Sequence, residues 1–249
     1  MNLPRALVAA HEERFGLRPP ESRRALDAIA QSAPDAELAP LVANHHTWFL
    51  RDRAQLEELA QGLSDRAPSR SPVHVWCAGS STGEEAYSLA LLLEGRGVDA
   101  RIVASDVVPG GRERARAARY EALTLRHVDA LTHARLFEQA TASGGARVRA
   151  ALRERVTFVQ HNLVDAPLTA PDGGWDAIVC RNVLIHWTPR QARALVPRLR
   201  GALAAAGTLV LGAADALVVT PRSAEPSRAS TPPAAPEPMT AKSIVSPSR

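Results

Sequence analysis

Lysine and aromatic residues are scarce in this sequence of 249 residues. Lys242 is the only lysine among 30 basic residues, and aromatic residues make up 4% of the chain. The arginines are scattered, as at Arg112, Arg114 and Arg116, with no aromatic residues between them that could stack on bases. We therefore expect no nucleic-acid partner, although the formal net charge is +4.

Cysteines and long apolar runs are scarce as well. Cys77 and Cys180 each end an apolar run, and we expect two free, buried thiols rather than a disulfide framework. No apolar stretch approaches the ~20 residues that cross a bilayer, and Met1–Pro4 does not open a signal peptide. His45 and His46 lack metal-ligand spacing and a nearby cysteine, so we expect no metal. These absences predict a cytoplasmic protein without membrane insertion.

Composition divides the chain into three regions. Residues 1–43 predict a short helical region, with amphipathic helices at roughly 4–15 and 20–31. Strands and helices alternate from about 72 to 212, which is typical of a parallel sheet. Residues 219–249 are rich in Pro, Ser and Ala and cannot bury enough apolar surface to offset the entropy of ordering, so we expect a disordered tail. No exposed apolar heptad pattern indicates obligate pairing, so we expect a monomer.

The alternating region predicts five strands and three helices. The strands are expected at His74–Cys77, Arg101–Ser105, Val156–Gln160, Asp176–Cys180 and Thr208–Leu211. The helices are expected at 84–95, 109–119 and 189–204, with Pro109 and Pro189 in first turns, where proline is tolerated. The predicted fold class is therefore α/β, a Rossmann-like, doubly wound parallel sheet.

The sequence from Val73 to Ser88 gives the first indication of function. An apolar run ends at a small-residue loop, and the loop leads directly into a helix pattern. In doubly wound sheets, ligands bind at the carboxyl ends of the strands. Gly83-Glu84-Glu85 places two carboxylates where a phosphate-binding loop has lysine or unpaired amides. The site should therefore repel pyrophosphate and accept a positively charged ligand, and S-adenosyl-L-methionine, with its sulfonium and ammonium groups, is the first candidate.

Polar residues also end two further strands. Asp106 follows the second strand about 20 residues after the glycine loop, where a carboxylate can accept both hydroxyls of a ribose. Alternatively, Asp106 caps the helix that begins near Pro109. Arg181 and Asn182 end the fourth strand and should face the same cleft.

A segment before the sheet, Asn44–Arg51, is dense in histidine and aromatic residues. We expect it to pack over the cleft, with Thr47 and Arg51 pointing inward. For Arg51 the alternative is an ion pair with Asp52 or another surface acid.

These segments together resemble the CheR family of chemotaxis receptor methyltransferases, which methylate receptor glutamates with S-adenosylmethionine. The resembling motifs are Cys77–Ser88 around the first loop, Asn162-Leu163 after the third strand, Cys180–Ile185 after the fourth, and His45, Thr47 and Arg51 before the sheet. The resemblance covers about 44 to 213. Four positions depart from the family pattern, because Pro is usual at Ala86, Asn at His45 and Tyr-Phe at His186-Trp187.

The resemblance implies a class I S-adenosylmethionine-dependent methyltransferase domain over residues 44–218. A small β-subdomain would be inserted at about 120–155, and the N-terminal region of residues 1–43 is short for the family. The implied cofactor-binding residues are His45, Thr47, Arg51, Ala78, Glu85, Asp106, Asn162, Leu163, Arg181 and Asn182. Arg51, beside the methyl group, and His186, beside the substrate carboxylate, are the implied catalytic residues. Glu84 is left as an exposed acid in the first helical turn, favoured by the helix dipole.

The implied reaction is methyl transfer to glutamate carboxylates of a chemoreceptor or a related signalling protein, giving methyl esters. A glutamate with a pKa near ~4.3 is already ionised at neutral pH and needs no general base, so catalysis should consist mainly of alignment and desolvation. Two alternatives remain open. One is a regulator that binds S-adenosylmethionine with weak or no methyl transfer, and the other is a class I methyltransferase with a different substrate.

Overall fold

The computed structural model describes residues 46–66, 72–125, 127–138, 145–171 and 173–220. The helices predicted within residues 1–43, the candidate residue His45 and residues 221–249 of the predicted tail lie outside the described residues.

A five-stranded parallel sheet forms the centre of the described region. Its strands are β1 (Val73–Ala78), β2 (Ala100–Asp106), β5 (Val156–Gln160), β6 (Trp175–Cys180) and β7 (Leu203–Leu211), in the spatial order β5-β2-β1-β6-β7. All four strand pairs are parallel, which confirms the predicted doubly wound sheet. The strand order reverses between β1 and β6, so the carboxyl ends of these two strands flank the crevice in which such sheets bind ligands.

Helices connect the strands and cover both faces of the sheet. They are α1 (Arg53–Arg66), α2 (Glu84–Glu94), α3 (Pro109–Ala117), α4 (Ala122–Leu125), α5 (Ala130–Leu136), α6 (Ala150–Arg153), α7 (Pro189–Gly201) and α8 (Ala213–Val219), with a 3₁₀ turn at Leu184–His186. Pro109 and Pro189 lie in the first turns of α3 and α7, as predicted. The missing N–H of proline costs nothing at that position.

Two hydrophobic cores lie on opposite faces of the sheet, because successive side chains of a strand point to opposite sides. Val75 and Cys77 of β1 join the core beneath α1 and α2, whereas Trp76 of the same strand joins the core beneath α7. Cys180 belongs to the second core. Both cysteines are therefore buried and unpaired, as predicted.

The structure departs from the prediction mainly around β7. Helix α7 ends at Gly201 rather than at residue 204, and β7 begins at Leu203 rather than at Thr208. Residues 204–206 are alanines, which favour a helix locally. In the structure they form a bulge in β7 instead. Trp175 pairs with Leu203, and Ala177, only two residues later, pairs with Thr208, five residues later. Helix α8 was not predicted, and it extends to the residue at which the tail was expected to begin.

A second, antiparallel sheet lies within the segment where the resemblance implies an inserted subdomain. Its strands are β3 (Arg119–Tyr120) and β4 (Ala146–Arg147), and an isolated bridge joins Phe137 to Val148. The boundaries of the domains stay a prediction. Within the described part of the chain, none of the helices has the length and apolar character to cross a membrane.

Candidate functional site

A cleft opens at the carboxyl ends of β1 and β6 and encloses about 450 Å³, including its open mouth. One side is the glycine loop that follows β1, and the other is residues 46–52, which we call the rim segment. The lining residues are His46, Thr47, Arg51, Leu56, Gly79, Ser80, Ser81, Glu85, Arg181 and Asn182. Five predicted site residues thus meet in one cleft, namely Thr47, Arg51, Glu85, Arg181 and Asn182.

Three consecutive backbone amides of the glycine loop, those of Gly79, Ser80 and Ser81, are already paired within the protein. The N–H groups of Gly79 and Ser80 both donate to the Ser105 carbonyl oxygen, at 2.8 and 2.9 Å. The Ser81 N–H donates to Asp106 Oδ2 at 2.7 Å. A phosphate cradle needs several unpaired amides that point at the anion. This loop therefore agrees with the expectation that the site does not favour pyrophosphate.

Asp106 supports the glycine loop and does not act as the N-cap of α3. Its second carboxylate oxygen, Oδ1, accepts the Val108 N–H at 3.0 Å. Val108 itself is the N-cap residue of α3. A carboxylate oxygen can accept more than one hydrogen bond, so these contacts leave capacity for ribose hydroxyls. The ribose contact of Asp106 stays a prediction.

The two neighbouring glutamates at the start of α2 differ in their surroundings, and those of Glu84 are not the ones expected. Glu84 is 1% exposed and accepts a hydrogen bond from Thr82 Oγ1 at 2.6 Å, so the prediction of an exposed Glu84 was wrong. Helix α2 is buried along almost its whole length, which a single-face pattern does not reveal. Burial raises the pKa of the Glu84 carboxyl.

Glu85 faces the cleft and forms an ion pair with Arg181, whose side chain is 0% exposed. The distance from Arg181 Nη1 to Glu85 Oε2 is 3.0 Å. Burial raises the pKa of Glu85 from 4.5 to about 7, against the opposing effect of Arg181 and Arg51. The Glu85 carboxylate thus lies at the edge of ionisation at neutral pH, and an additional positive charge in the cleft would favour its ionised form.

Arg181 also connects the rim segment to the sheet. Its Nη2 donates to the Arg51 carbonyl oxygen at 2.6 Å and to Asp52 Oδ2 at 3.0 Å. The Leu50 N–H donates to Ser88 Oγ in α2 at 2.9 Å. Leu50 and Asp52 both have positive φ angles, of 56° and 49°. These contacts hold an otherwise unfavourable backbone turn over the cleft.

The Arg51 side chain lies in the cleft, in agreement with the predicted inward orientation. Its Nη1 donates to the His46 carbonyl oxygen at 2.9 Å, and its guanidinium carbon lies 4.5 Å from the centroid of the Trp48 ring. Asp52, the acid considered as its alternative partner, pairs with Arg181 instead. A carbonyl group and an aromatic face therefore hold the planar guanidinium. Asp52 does not neutralise its charge.

Besides Asp106, four predicted residues of the described region do not line the cleft. Ala78 ends β1 and is 1% exposed. Asn162 and Leu163 follow β5, which pairs with β2 beside Asp106. His186 ends the 3₁₀ turn after Asn182. Their contacts with cofactor or substrate stay predictions.

Two acidic residues at the site were not identified from the sequence. Asp52 was considered only as a surface partner of Arg51, whereas it pairs with the buried Arg181. Asp215 was not among the candidate residues, but its carboxylate accepts the backbone N–H groups of Asn182 and Ile185. These contacts join residues 129 and 33 positions apart, so no local pattern indicates them.

Comparison with known proteins places the chain in a family. The family described as "CheR methyltransferase, SAM binding domain" matches residues 45–231. The chain belongs to the CheR methyltransferase family. The family and the cofactor predicted from the sequence, S-adenosyl-L-methionine, are thereby confirmed, because the matched domain is the one that binds it.

Individual relatives agree with this assignment. The chain is 31% identical to a chemotaxis protein methyltransferase of Vibrio parahaemolyticus, over 73% of this chain and 68% of the relative. It is 38% identical to chemotaxis protein methyltransferase 2 of Pseudomonas aeruginosa, over 60% of this chain and 55% of the relative. It is also 34% identical to an uncharacterised 104.1 kDa protein of Rhodobacter capsulatus, over 69% of this chain and 19% of that protein. The CheR domain thus spans only a fifth to about two thirds of these relatives.

Proposed function

We propose that this CheR-family protein transfers a methyl group from S-adenosylmethionine to glutamate side-chain carboxylates of a chemoreceptor or a related signalling protein, and so forms glutamate methyl esters. The observation that carries the proposal is that one cleft holds the half-buried acid Glu85, whose side chain is 15% exposed, and the cation Arg51 on opposite sides. The relatives named as chemotaxis protein methyltransferases support the same substrate class.

The residues of the cleft fit the charges of the cofactor. S-adenosylmethionine has a sulfonium and an ammonium group, which suit a buried carboxylate, and a carboxylate group, which suits an arginine. The paired amides of the glycine loop fit a ligand without phosphate. Thr47 and Arg51 would hold the methionine end, with Glu85 and Asn182 beside it. Asp106 would hold the ribose.

The adenine end and the floor of the cofactor site are assigned by position. Asn162 and Leu163 would flank the adenine, since they follow the strand beside Asp106. Ala78 would line the end of β1. Arg181 would act mainly by holding its partners in place, since its side chain lines the cleft but is 0% exposed and already pairs with two carboxylates.

The chemistry follows from the state of each group at neutral pH. When bound, the cofactor supplies a methyl group on an electron-poor sulfur that leaves as a neutral thioether. The substrate glutamate is ionised and needs no base, so the protein's task is to bring its oxygen into line with the methyl carbon and to exclude water. Arg51 can orient a carboxylate through its planar fork, and the rim segment shields the cleft. His186 is proposed as a hydrogen-bond donor to the substrate carboxylate.

The proposal is tested by incubating the protein with methyl-labelled S-adenosylmethionine and the cytoplasmic fragment of a chemoreceptor. We expect label on the fragment that is released by mild base, as a methyl ester requires. Base-stable label would indicate a different acceptor group and would overturn the glutamate assignment. Binding of S-adenosylhomocysteine without any transfer to receptor fragments would instead favour a regulator.

A further inference from the structure

The carboxylate of Asp215 binds the backbone of the loop that carries two candidate site residues. One of its oxygens accepts the N–H of Asn182, which lines the cleft. The other accepts the N–H of Ile185 at 3.0 Å, directly before His186. The side chain therefore ties the start of the loop between β6 and α7 to the middle of that loop.

Asp215 lies in the first turn of α8, yet it does more than cap that helix. Its contact with the Gly212 N–H, at 3.1 Å, is an ordinary capping bond. The bonds to Asn182 and Ile185 reach a loop 33 and 30 positions earlier in the chain. The residue is 0% exposed. A carboxylate buried this completely is costly unless its hydrogen bonds are made, and backbone N–H groups make them here.

Two further observations show that the surrounding backbone is shaped for this carboxylate. Asn182 has a φ of 57°, a left-handed conformation that asparagine tolerates better than most residues and that turns its N–H toward Asp215. A Cβ atom added at Gly212 would lie 2.6 Å from Asp215 Oδ2 and 3.2 Å from the Asn182 nitrogen. The glycine therefore leaves the space that the carboxylate occupies.

We propose that Asp215 is a positioning residue for methyl transfer, which holds Asn182 against the cofactor and presents the turn that ends in His186. The inference rests on the proposed function, because it assigns Asn182 a cofactor contact. Asp215 itself touches neither cofactor nor substrate. It acts through the backbone of the loop.

The first test measures S-adenosylhomocysteine binding by calorimetry in the full chain with Asp215→Asn. The amide keeps the shape but offers one oxygen instead of two, so we expect the dissociation constant to rise about tenfold. Gly212→Ala, which crowds the carboxylate without removing it, should weaken binding in the same direction. Thr188→Ala is the matched control, since Thr188 caps α7 at the end of the same loop but does not contact Asp215. It should leave the dissociation constant unchanged.

A double-variant cycle separates positioning from general stability. Asn182→Gly removes the amide side chain at a position whose φ suits glycine. In that background, Asp215→Asn should change the dissociation constant less than twofold, because the group that it positions is gone. A further tenfold loss would overturn the proposal. So would an unchanged dissociation constant in Asp215→Asn alone.

Amide hydrogen exchange gives a readout that needs no ligand. Asp215→Asn should speed exchange at the Asn182 and Ile185 amides, and Thr188→Ala should not. Unchanged exchange at both amides would overturn the positioning role even if the protein binds its cofactor. Absence of S-adenosylhomocysteine binding to the wild-type chain would instead overturn the proposed function, and with it this inference.

Discussion

The two sides of the cleft are held in place by different kinds of contact. The glycine loop is fixed mainly by backbone hydrogen bonds, from Gly79 and Ser80 to Ser105 in β2 and from Gly83 to Ser80, with the Asp106 side chain accepting the Ser81 N–H as well. The rim segment is fixed mainly by side chains of distant residues. Ser88 binds the Leu50 N–H and Arg181 binds two groups of the segment.

The buried ring of Phe49 also anchors the rim segment, since it packs edge-on against Tyr120 and Phe137. This ring fixes where the segment crosses the protein. It does not set the direction of the residues that follow, two of which have positive φ angles. The position of the glycine loop therefore follows from the sheet itself. The position of Arg51 in the rim segment depends instead on a few side chains that single substitutions can remove.

The largest effect is expected for Arg51→Ala. This change leaves the glycine loop intact but removes the cation of the rim segment, so methyl transfer should fall by about 10²-fold or more, below ready detection. The check is the initial rate of labelled methyl transfer at saturating cofactor. Arg53→Ala is the matched control, because Arg53 is exposed and forms only surface ion pairs with Glu57 and Asp129. Near-normal transfer by Arg51→Ala would remove Arg51 from the mechanism.

A large effect on stability is expected for Arg181→Met. Loss of the guanidinium leaves Glu85 buried without its ion-pair partner and releases the Arg51 carbonyl, so the free energy of unfolding should fall by about 3 kcal/mol. Urea denaturation measures this change. The double variant Arg181→Met, Glu85→Gln removes the unpaired charge and should recover part of the loss. A single variant as stable as the wild type would show that Arg181 does not hold the two sides together.

A smaller effect, which depends on pH, is expected for Glu85→Gln. Burial raises the pKa of Glu85 from 4.5 to about 7, so the folded protein keeps a proton that the unfolded chain loses between these values. The stabilising contribution of the protonated form is complete below about pH 4.5 and is lost as the pH rises through about 7. Relative to the wild type, Glu85→Gln should therefore gain stability as the pH rises.

Urea denaturation at several values between about pH 5 and about pH 8 measures this difference. Glu58→Gln, a change at an exposed position of α1, should show no such trend. Parallel curves for Glu85→Gln and the wild type would contradict the proposed burial of the Glu85 charge.

The smallest effect is expected for Asp52→Asn. The Asp52 side chain is 58% exposed, so its pair with Arg181 should contribute less than about 1 kcal/mol to stability. Because the pair with Arg181 helps to hold the backbone next to Arg51, we expect Asp52→Asn to raise KM about two- to threefold with little change in kcat. Asp99→Asn, which breaks an exposed pair with Arg101 away from the cleft, is the control and should change neither constant.

The difference between the two sides also explains what the sequence could predict. The strands and the glycine loop follow from apolar runs and small residues that are contiguous in the chain, and the structure confirms all five strands. The burial of Glu84 and the partners of Arg181 and Asp215 depend on contacts between distant positions. Local composition cannot distinguish a buried carboxylate from an exposed one, because only the fold decides which amides or cations reach it.

The central claim is that the cleft accepts a nucleoside that carries positive charge. Titration calorimetry of the wild-type chain with S-adenosyl-L-methionine, in buffers of different ionisation enthalpy near pH 7, tests it most directly. We expect one-to-one binding with release of part of a proton, because a cation beside Glu85 favours its ionised form, and no proton release from Glu85→Gln. Absence of binding, or tighter binding of ADP than of S-adenosyl-L-methionine, would contradict the account.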